Sequence, residues 1–101
     1  MTDDVIELEA LRVRFYSAND ESAFFDWAKK IPCIENCEGH GPVIYLRVSA
    51  GAITENCLRE LLSLFRRYEI SMQQLSAFDQ ERFSTWFRDK RAYWYASIFE
   101  V

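Results

Sequence analysis

The stretch FDQERFSTWFRDKRAYWYASIFEV, residues 78 to 101, carries half of the aromatic side chains of this protein. Eight of the sixteen fall within it: Phe78, Phe83, Trp86, Phe87, Tyr93, Trp94, Tyr95 and Phe99. A chain of this size forms one hydrophobic core, and large aromatic side chains dominate the area buried there. We therefore predict that this stretch is an integral helix-plus-strand unit against which the rest of the chain packs.

The length and composition predict a single globular domain over residues 1–101. Of the 101 residues, 50% are hydrophobic and 28% are charged, close to the average for soluble domains. No apolar run approaches the roughly 20 residues of a membrane-spanning helix. The first ten residues, MTDDVIELEA, are acidic where a secretory signal is basic and then apolar. Without an export signal, three cysteines fit reduced thiols. These features predict a cytoplasmic protein that has no membrane contact.

The charge is acidic overall and unevenly spread. The formal net charge is −4, from 16 acids and 12 bases. Residues 1–38 hold nine acids and four bases, whereas residues 39–101 hold seven acids and eight bases. Nucleic-acid affinity depends on clustered Lys and Arg that neutralise phosphates, so this balance argues against DNA binding and disfavours RNA. An acidic region suits a basic protein partner instead.

Two alternating apolar patterns lie near the N-terminus, and they differ in phase. Apolar residues occupy even positions over residues 6–10 and odd positions over residues 11–15. Such a slip moves the side chains to the other face of a strand, so it indicates a bulge or a break. We predict a strand over residues 11–17, with residues 4–9 as its extension or a frayed turn.

Three helices are predicted from capping signals and helical spacing. The first covers residues 20–31, because Asn19 and Asp20 are N-cap candidates and Pro32 ends it. The second begins after Thr54, where Ile53 and Leu58 have the spacing of a hydrophobic staple. The third begins at Asp79, which Phe78 and Phe83 flank at the same staple spacing.

The remaining apolar segments predict strands. Val43–Val48 is nearly all apolar, which indicates a strand covered on both faces or nearly so. The glycines and proline of residues 39–42 mark a turn before it, and Cys33–Cys37 is a short edge strand leading into that turn. Glu69–Ala77 is predicted as a polar strand near a sheet edge, and Ala92–Glu100 as the final strand.

This order predicts an α+β fold, a two-layer sandwich. Its core is a ferredoxin-like βαββαβ unit with an added C-terminal helix and strand. Helices would cover one face of a four- or five-stranded antiparallel sheet. If Cys33–Cys37 is a loop instead, the strict alternation of elements favours a parallel or mixed α/β sheet.

Four residues have side chains that could hold a metal ion, namely Cys33, Cys37, His40 and Cys57. The spacing C-x3-C-x2-H lies within the range of zinc sites. Structural zinc sites usually use tight C-x2-C pairs, however, and cysteine is among the residues most often buried. We therefore predict no metal site.

No catalytic or cofactor-binding residue is predicted either. His40 is the one histidine available for acid–base chemistry, but a histidine in a glycine-flanked turn is more often simply exposed. Ser49–Ala52 connects a strand to a helix where backbone N–H groups could hold an anion. It has one glycine and lacks the lysine of a P-loop, so an ordinary turn is the better interpretation.

The aromatic tail supports two interpretations. Arg88, Lys90, Arg91, Tyr93 and Tyr95 place bases beside aromatic rings, a combination that can stack on and neutralise RNA. The net charge opposes that use. The second interpretation divides these side chains between the core and the surface. The core receives Phe83, Trp86, Phe87, Trp94 and Ile98, and an exposed face receives Tyr93, Tyr95 and Phe99. Exposed aromatic patches mark protein contacts, so Tyr93, Tyr95 and Phe99 are the predicted interface.

The sequence thus predicts a non-enzymatic protein-interaction module without cofactors. It would self-associate as a homodimer through the aromatic face, or mask a basic partner as a small acidic inhibitor or immunity-type protein does. The alternative is a small-molecule-binding domain or minor enzyme with a pocket near residues 33–42.

Overall fold

A computed structural model describes residues 4–100, which form three strands, four α-helices and three short 3-10 segments. The strands are β1 (Val5–Leu11), β2 (Ile34–His40) and β3 (Val43–Ser49). The α-helices are α1 (Ala18–Lys30), α2 (Glu55–Arg67), α3 (Ser84–Phe87) and α4 (Tyr95–Phe99). The 3-10 segments are Ala50–Ala52, Met72–Phe78 and Glu81–Phe83. None of the helices within residues 4–100 has the length and apolar character needed to cross a membrane.

The strands form one antiparallel sheet in the order β1-β3-β2. β3 lies in the middle and is antiparallel to both neighbours, so α1 connects two outer strands that run in the same direction. Gly41, with a φ of 63°, makes the tight turn between β2 and β3. The predicted edge strand before this turn is confirmed, although it begins at Ile34 and extends to His40. The antiparallel pairing excludes the parallel-sheet alternative.

The full ferredoxin-like core is absent from the described residues, because they contain three strands and not four or five. The order β1-α1-β2-β3-α2 matches the first five elements of the predicted βαββαβ unit. The fourth strand was expected at Glu69–Ala77, and this prediction is wrong. That segment forms the 3-10 helix Met72–Phe78, in which Met72, Leu75 and Phe78 are buried at a spacing of three residues.

The end of α2 shows why the chain does not continue as a strand. Glu69 has a φ of 56°, the left-handed conformation that closes a helix C-terminus. The N–H of Ile70 donates to the carbonyl of Phe65 at 2.9 Å, and the N–H of Glu69 donates to that of Arg66 at 3.4 Å. This is the Schellman pattern, and it redirects the chain after Tyr68.

The N-terminal strand is also displaced from its predicted position. β1 covers Val5–Leu11, so the prediction of a strand over residues 11–17 is wrong. Arg12 follows β1 with a φ of 53°, a left-handed conformation that interrupts the extended backbone. Its N–H donates to the carbonyl of Pro42 at 2.7 Å. The phase slip after Ala10 therefore marks the end of the strand and the start of an irregular connection.

The predicted final strand is wrong as well, because Tyr95–Phe99 is the helix α4. Trp94 and Ile98 are both buried, and a separation of four residues suits one face of a helix as well as one face of a strand. The predicted third helix is shortened to α3. Asp79 does not cap it but pairs with the guanidinium of Arg88.

The first two helices have the expected start signals. α1 begins two residues earlier than predicted, because the Ser17 hydroxyl accepts from the N–H of Asp20 at 3.1 Å. α2 begins as predicted, since the Thr54 hydroxyl accepts from the N–H of Cys57 at 3.1 Å. Ile53 and Leu58 are fully buried on either side of this cap.

The hydrophobic core lies on one face of the sheet. Five strand residues point into it and are buried: Leu8, Ala10, Ile44, Leu46 and Val48. The neighbouring positions on β3 are half-buried at Val43 and Tyr45 and exposed at Arg47. The prediction that β3 is covered on both faces is therefore wrong, and the sheet has an open face.

Candidate functional site

The open face of the sheet is a polar surface built from alternate residues of all three strands. The strand register places Glu9, Tyr45 and Glu38 in one row, and Glu7, Arg47 and Asn36 in the next. The β1 members of both rows are exposed. Sequence reasoning missed this surface, although the alternation of Glu7 and Glu9 with buried residues was a usable signal.

Tyr45 lies at the centre of this face and His40 lies beside it. The two rings have centroids 5.9 Å apart. His40 Nε2 lies 3.2 Å from Glu38 Oε2. Hydrogen bonds from Asn36 and then from His40 lower the pKa of the Glu38 carboxyl, so it remains ionised to lower pH than usual.

The four candidate metal ligands do not converge. Cys33 and Cys57 are buried together, whereas His40 is exposed on the open face. Cys37 is half-buried opposite Leu46. Among residues 4–100, no group of three or more His, Cys, Asp or Glu side chains is placed to hold a metal ion.

Cys33 and Cys57 are both buried, and their thiols are close enough to affect each other's pKa. Burial, followed by the proximity of Cys57, raises the pKa of Cys33 to about 12. Burial also acts to raise the pKa of Cys57, but hydrogen bonds from Thr54 and Cys33 lower it below its ordinary value.

The three predicted interface residues are divided between two places. Tyr93 is 49% exposed, and its ring packs edge-on against Trp94 with centroids 4.9 Å apart. Tyr95 and Phe99 are half-buried neighbours on α4, with centroids 5.2 Å apart. Phe99 also packs against Phe87 at 5.2 Å. These residues do not share the face of a strand, and their role as an interface stays a prediction.

The core assignment in the tail is largely confirmed. Phe83, Phe87, Trp94 and Ile98 are buried, and Trp86 is half-buried. Two of the basic residues suggested for RNA contact already have carboxylate partners, because Arg88 pairs with Asp79 and Arg91 pairs with Asp89. Within Ser49–Ala52, Ser49 ends β3 and Ala50–Ala52 form a 3-10 turn, as expected for a plain connection.

The region near residues 33–42 has two small hollows. One has a volume of about 230 Å³ and lies beside Lys29 and Cys37. The other, of about 250 Å³, lies beside Arg12 and Gly41. Both are smaller than the ligand pockets of about 300–1,000 Å³ that proteins commonly use. The geometry gives the pocket predicted there little support.

No protein-family model, curated protein or solved structure matches this chain.

Proposed function

We propose that this chain is a non-enzymatic protein-interaction module that masks a basic protein, in the manner of a small acidic inhibitor or immunity-type protein. The observation that carries the proposal is the charge of the open sheet face. Glu7, Glu9 and Glu38 contribute three carboxylates and Arg47 one guanidinium, a net charge of −2 with His40 neutral. A surface of one sign attracts and orients a partner of the other sign.

Tyr45 supplies an aromatic anchor within this charge. Its partners across the sheet are Glu9 on β1 and Glu38 on β2. An Arg or Lys side chain of the partner could stack on the tyrosine ring and donate hydrogen bonds to either carboxylate. Such a desolvated contact at the centre of a surface has the character of a binding hot spot.

Apolar side chains lie at both ends of β1 on the same face. Val5 is 40% exposed and Leu11 is 60% exposed. Burying them against a partner would release ordered water and add to the electrostatic attraction. Their alternation with Glu7 and Glu9 gives the partner both polar and apolar contacts along one strand.

Face-to-face self-association through the open sheet is disfavoured, because it would bring two negatively charged surfaces together. The homodimer predicted from Tyr93, Tyr95 and Phe99 would use the other side of the molecule. It is therefore compatible with the proposal and is tested separately.

The proposal is tested by affinity capture from the native host with three forms of the protein. The first is wild type, and the second is the triple variant Glu7→Lys, Glu9→Lys and Glu38→Lys. The third is the matched control Asp26→Lys, Glu81→Lys and Glu100→Lys, which changes the net charge equally at exposed positions off the sheet. We expect wild type and the control to capture one stoichiometric basic protein, and the open-face variant to lose it.

The dependence of partner capture on salt concentration provides a second test of the proposal. Binding through exposed charges weakens as the ionic strength approaches about 1 M, because the Debye length falls to about 3 Å. If the open-face variant captures the same partner as wild type, or if the partner is acidic, the proposal is wrong.

A further inference from the structure

A groove on the helix side of the molecule is separate from the open sheet face and takes no part in the proposed protein contact. Its volume is about 620 Å³, within the range of about 300–1,000 Å³ of ligand pockets. The side chains that line it come from α1, α2 and the segments after α2: Trp27, Ser63, Arg66, Arg67, Glu69 and Tyr93.

The groove contains two arginine side chains, Arg66 and Arg67, that have no carboxylate partner within residues 4–100. Among residues 4–100, no carboxylate oxygen lies within 4.0 Å of the guanidinium of Arg66 or Arg67. Arg59, Arg88 and Arg91 each have such a partner. Both guanidiniums therefore retain hydrogen-bond donors that match phosphate oxygens.

Two aromatic rings face the same groove, and protein contacts hold both in position. Trp27 Nε1 donates to Glu60 Oε1 at 2.9 Å. Tyr93 packs against Trp94 and has the guanidinium of Arg66 at 5.9 Å from its centroid. Rings that are already fixed lose little conformational entropy when a planar ligand stacks on them.

Glu69 lies in the groove at a position that strains its backbone. It has the left-handed conformation of a helix C-terminus, with a φ of 56°, where glycine is usual because it has no Cβ. A residue other than glycine is strained in this conformation, and such strain is concentrated at functional sites. The Glu69 side chain adds a hydrogen-bond acceptor to the lining of the groove.

We infer that this groove binds a nucleoside monophosphate. Arg66 and Arg67 hold the phosphate, and Trp27 and Tyr93 contact the base. Glu69 accepts a hydrogen bond from an exocyclic amino group, so the groove favours adenine, guanine or cytosine over uracil. A mononucleotide has the size of the groove and combines the anionic and planar groups that its walls match.

The test is a set of NMR titrations that follow the indole N–H of Trp27 in ¹⁵N-labelled protein. The ligands are AMP, UMP, adenosine and inorganic phosphate, each added up to about 10 mM, roughly tenfold above a weak Kd of about 1 mM. We expect AMP to shift this signal with the highest affinity. UMP should bind more weakly because uracil lacks the amino group, and adenosine and phosphate should bind more weakly still.

Three variants separate the contributions of the two arginines and of Glu69 to AMP binding. Arg66→Gln with Arg67→Gln should weaken AMP binding at least about tenfold, because it removes both phosphate-binding guanidiniums. The matched control Arg12→Gln with Arg91→Gln changes the net charge equally at exposed positions outside the groove and should change the affinity less than about twofold. Glu69→Gly should abolish the preference for AMP over UMP and raise the melting temperature, since glycine relieves the strain.

Four results would overturn the inference. They are no shift with any nucleotide, equal affinity for AMP and inorganic phosphate, an unchanged affinity in the Arg66 and Arg67 variant, and binding of single-stranded RNA without binding of mononucleotides. If that double variant does not fold, Tyr93→Ala replaces it, because Tyr93 is half exposed and contributes one ring of the groove.

Discussion

The side-chain amide of Gln74 binds both backbone groups of Glu9. Gln74 Oε1 accepts from the Glu9 N–H at 2.7 Å, and Gln74 Nε2 donates to the Glu9 carbonyl at 2.8 Å. A neighbouring strand would make the same two bonds to this edge of β1. The side chain thus occupies part of the position of the fourth strand that the sequence predicted, and it protects an otherwise open strand edge.

Replacing Gln74 by alanine should loosen this edge. We expect the free energy of unfolding to fall by about 1–2 kcal/mol, since the two exposed hydrogen bonds to Glu9 and a third to the carbonyl of Ser71 are lost. The Glu9 amide should also exchange with solvent faster, because its protein acceptor is gone. Gln73→Ala is the control, since Gln73 is exposed and makes no side-chain hydrogen bond to β1. Equal exchange at Glu9 in the two variants would contradict the role of Gln74.

Two neighbouring tryptophans should respond differently to substitution by phenylalanine. Trp94 Nε1 donates to the buried carbonyl of Phe87 at 2.7 Å, whereas Trp86 Nε1 is buried without a partner. Trp94→Phe orphans that carbonyl, so it should cost about 1–2 kcal/mol more than Trp86→Phe. Chemical denaturation of both variants measures the difference. Equal losses would show that the hydrogen bond contributes nothing net.

The stability of the protein should decrease in alkali because of buried thiols. The pKa of Cys33 is raised from 9.0 to about 12, so between these pH values the unfolded chain loses a proton that the folded chain keeps. The free energy of unfolding should therefore fall by about 1.4 kcal/mol per pH unit for this thiol, with full stability below pH 9.

Cys37 contributes in the same direction up to about pH 11, where burial has raised its pKa. The slope of the free energy of unfolding against pH is measured by denaturation between pH 9 and 11 in wild type and in Cys33→Ala. The variant has a cavity, which lowers the whole curve, but its slope should be shallower. An unchanged slope would show that Cys33 titrates normally.

Self-association through the tail is tested by sedimentation equilibrium at high micromolar concentration without nucleotide, because Tyr93 also lines the groove. Tyr93→Ala should weaken a dimer at least about tenfold if this ring is an interface hot spot. Tyr16→Ala is the control, since Tyr16 is 80% exposed elsewhere. Tyr95→Ala and Phe99→Ala are less direct tests of the interface, because both rings also pack within α4 and its surroundings. A monomeric wild type contradicts the homodimer prediction.

Local signals in the sequence were enough to predict α1, the hairpin of β2 and β3, and the start of α2. Thr54 and the pair Ile53 and Leu58 mark the start of α2 through contacts within one helical turn. The glycine turn before β3 predicts the hairpin for the same reason, since its geometry depends on the residues of the turn itself. The α+β class follows from these elements.

The tail could not be assigned in this way, because its pattern fits two periodicities. Trp94 and Ile98 are separated by four residues, which suits both a strand and a helix, and only packing against the core selects α4. The strand predicted after α2 failed because the left-handed turn at Glu69 is unusual for a residue other than glycine.

The sequence by itself determined the elements that are stabilised by near neighbours, namely the capped helices and the hairpin. It also determined the acidic charge of the N-terminal part. Only the tertiary structure decided which strand edge Gln74 protects, and which residues share a surface. The row of Glu9, Tyr45 and Glu38 and the pairing of Arg66 with Tyr93 join residues distant in the chain, so no local pattern could encode them.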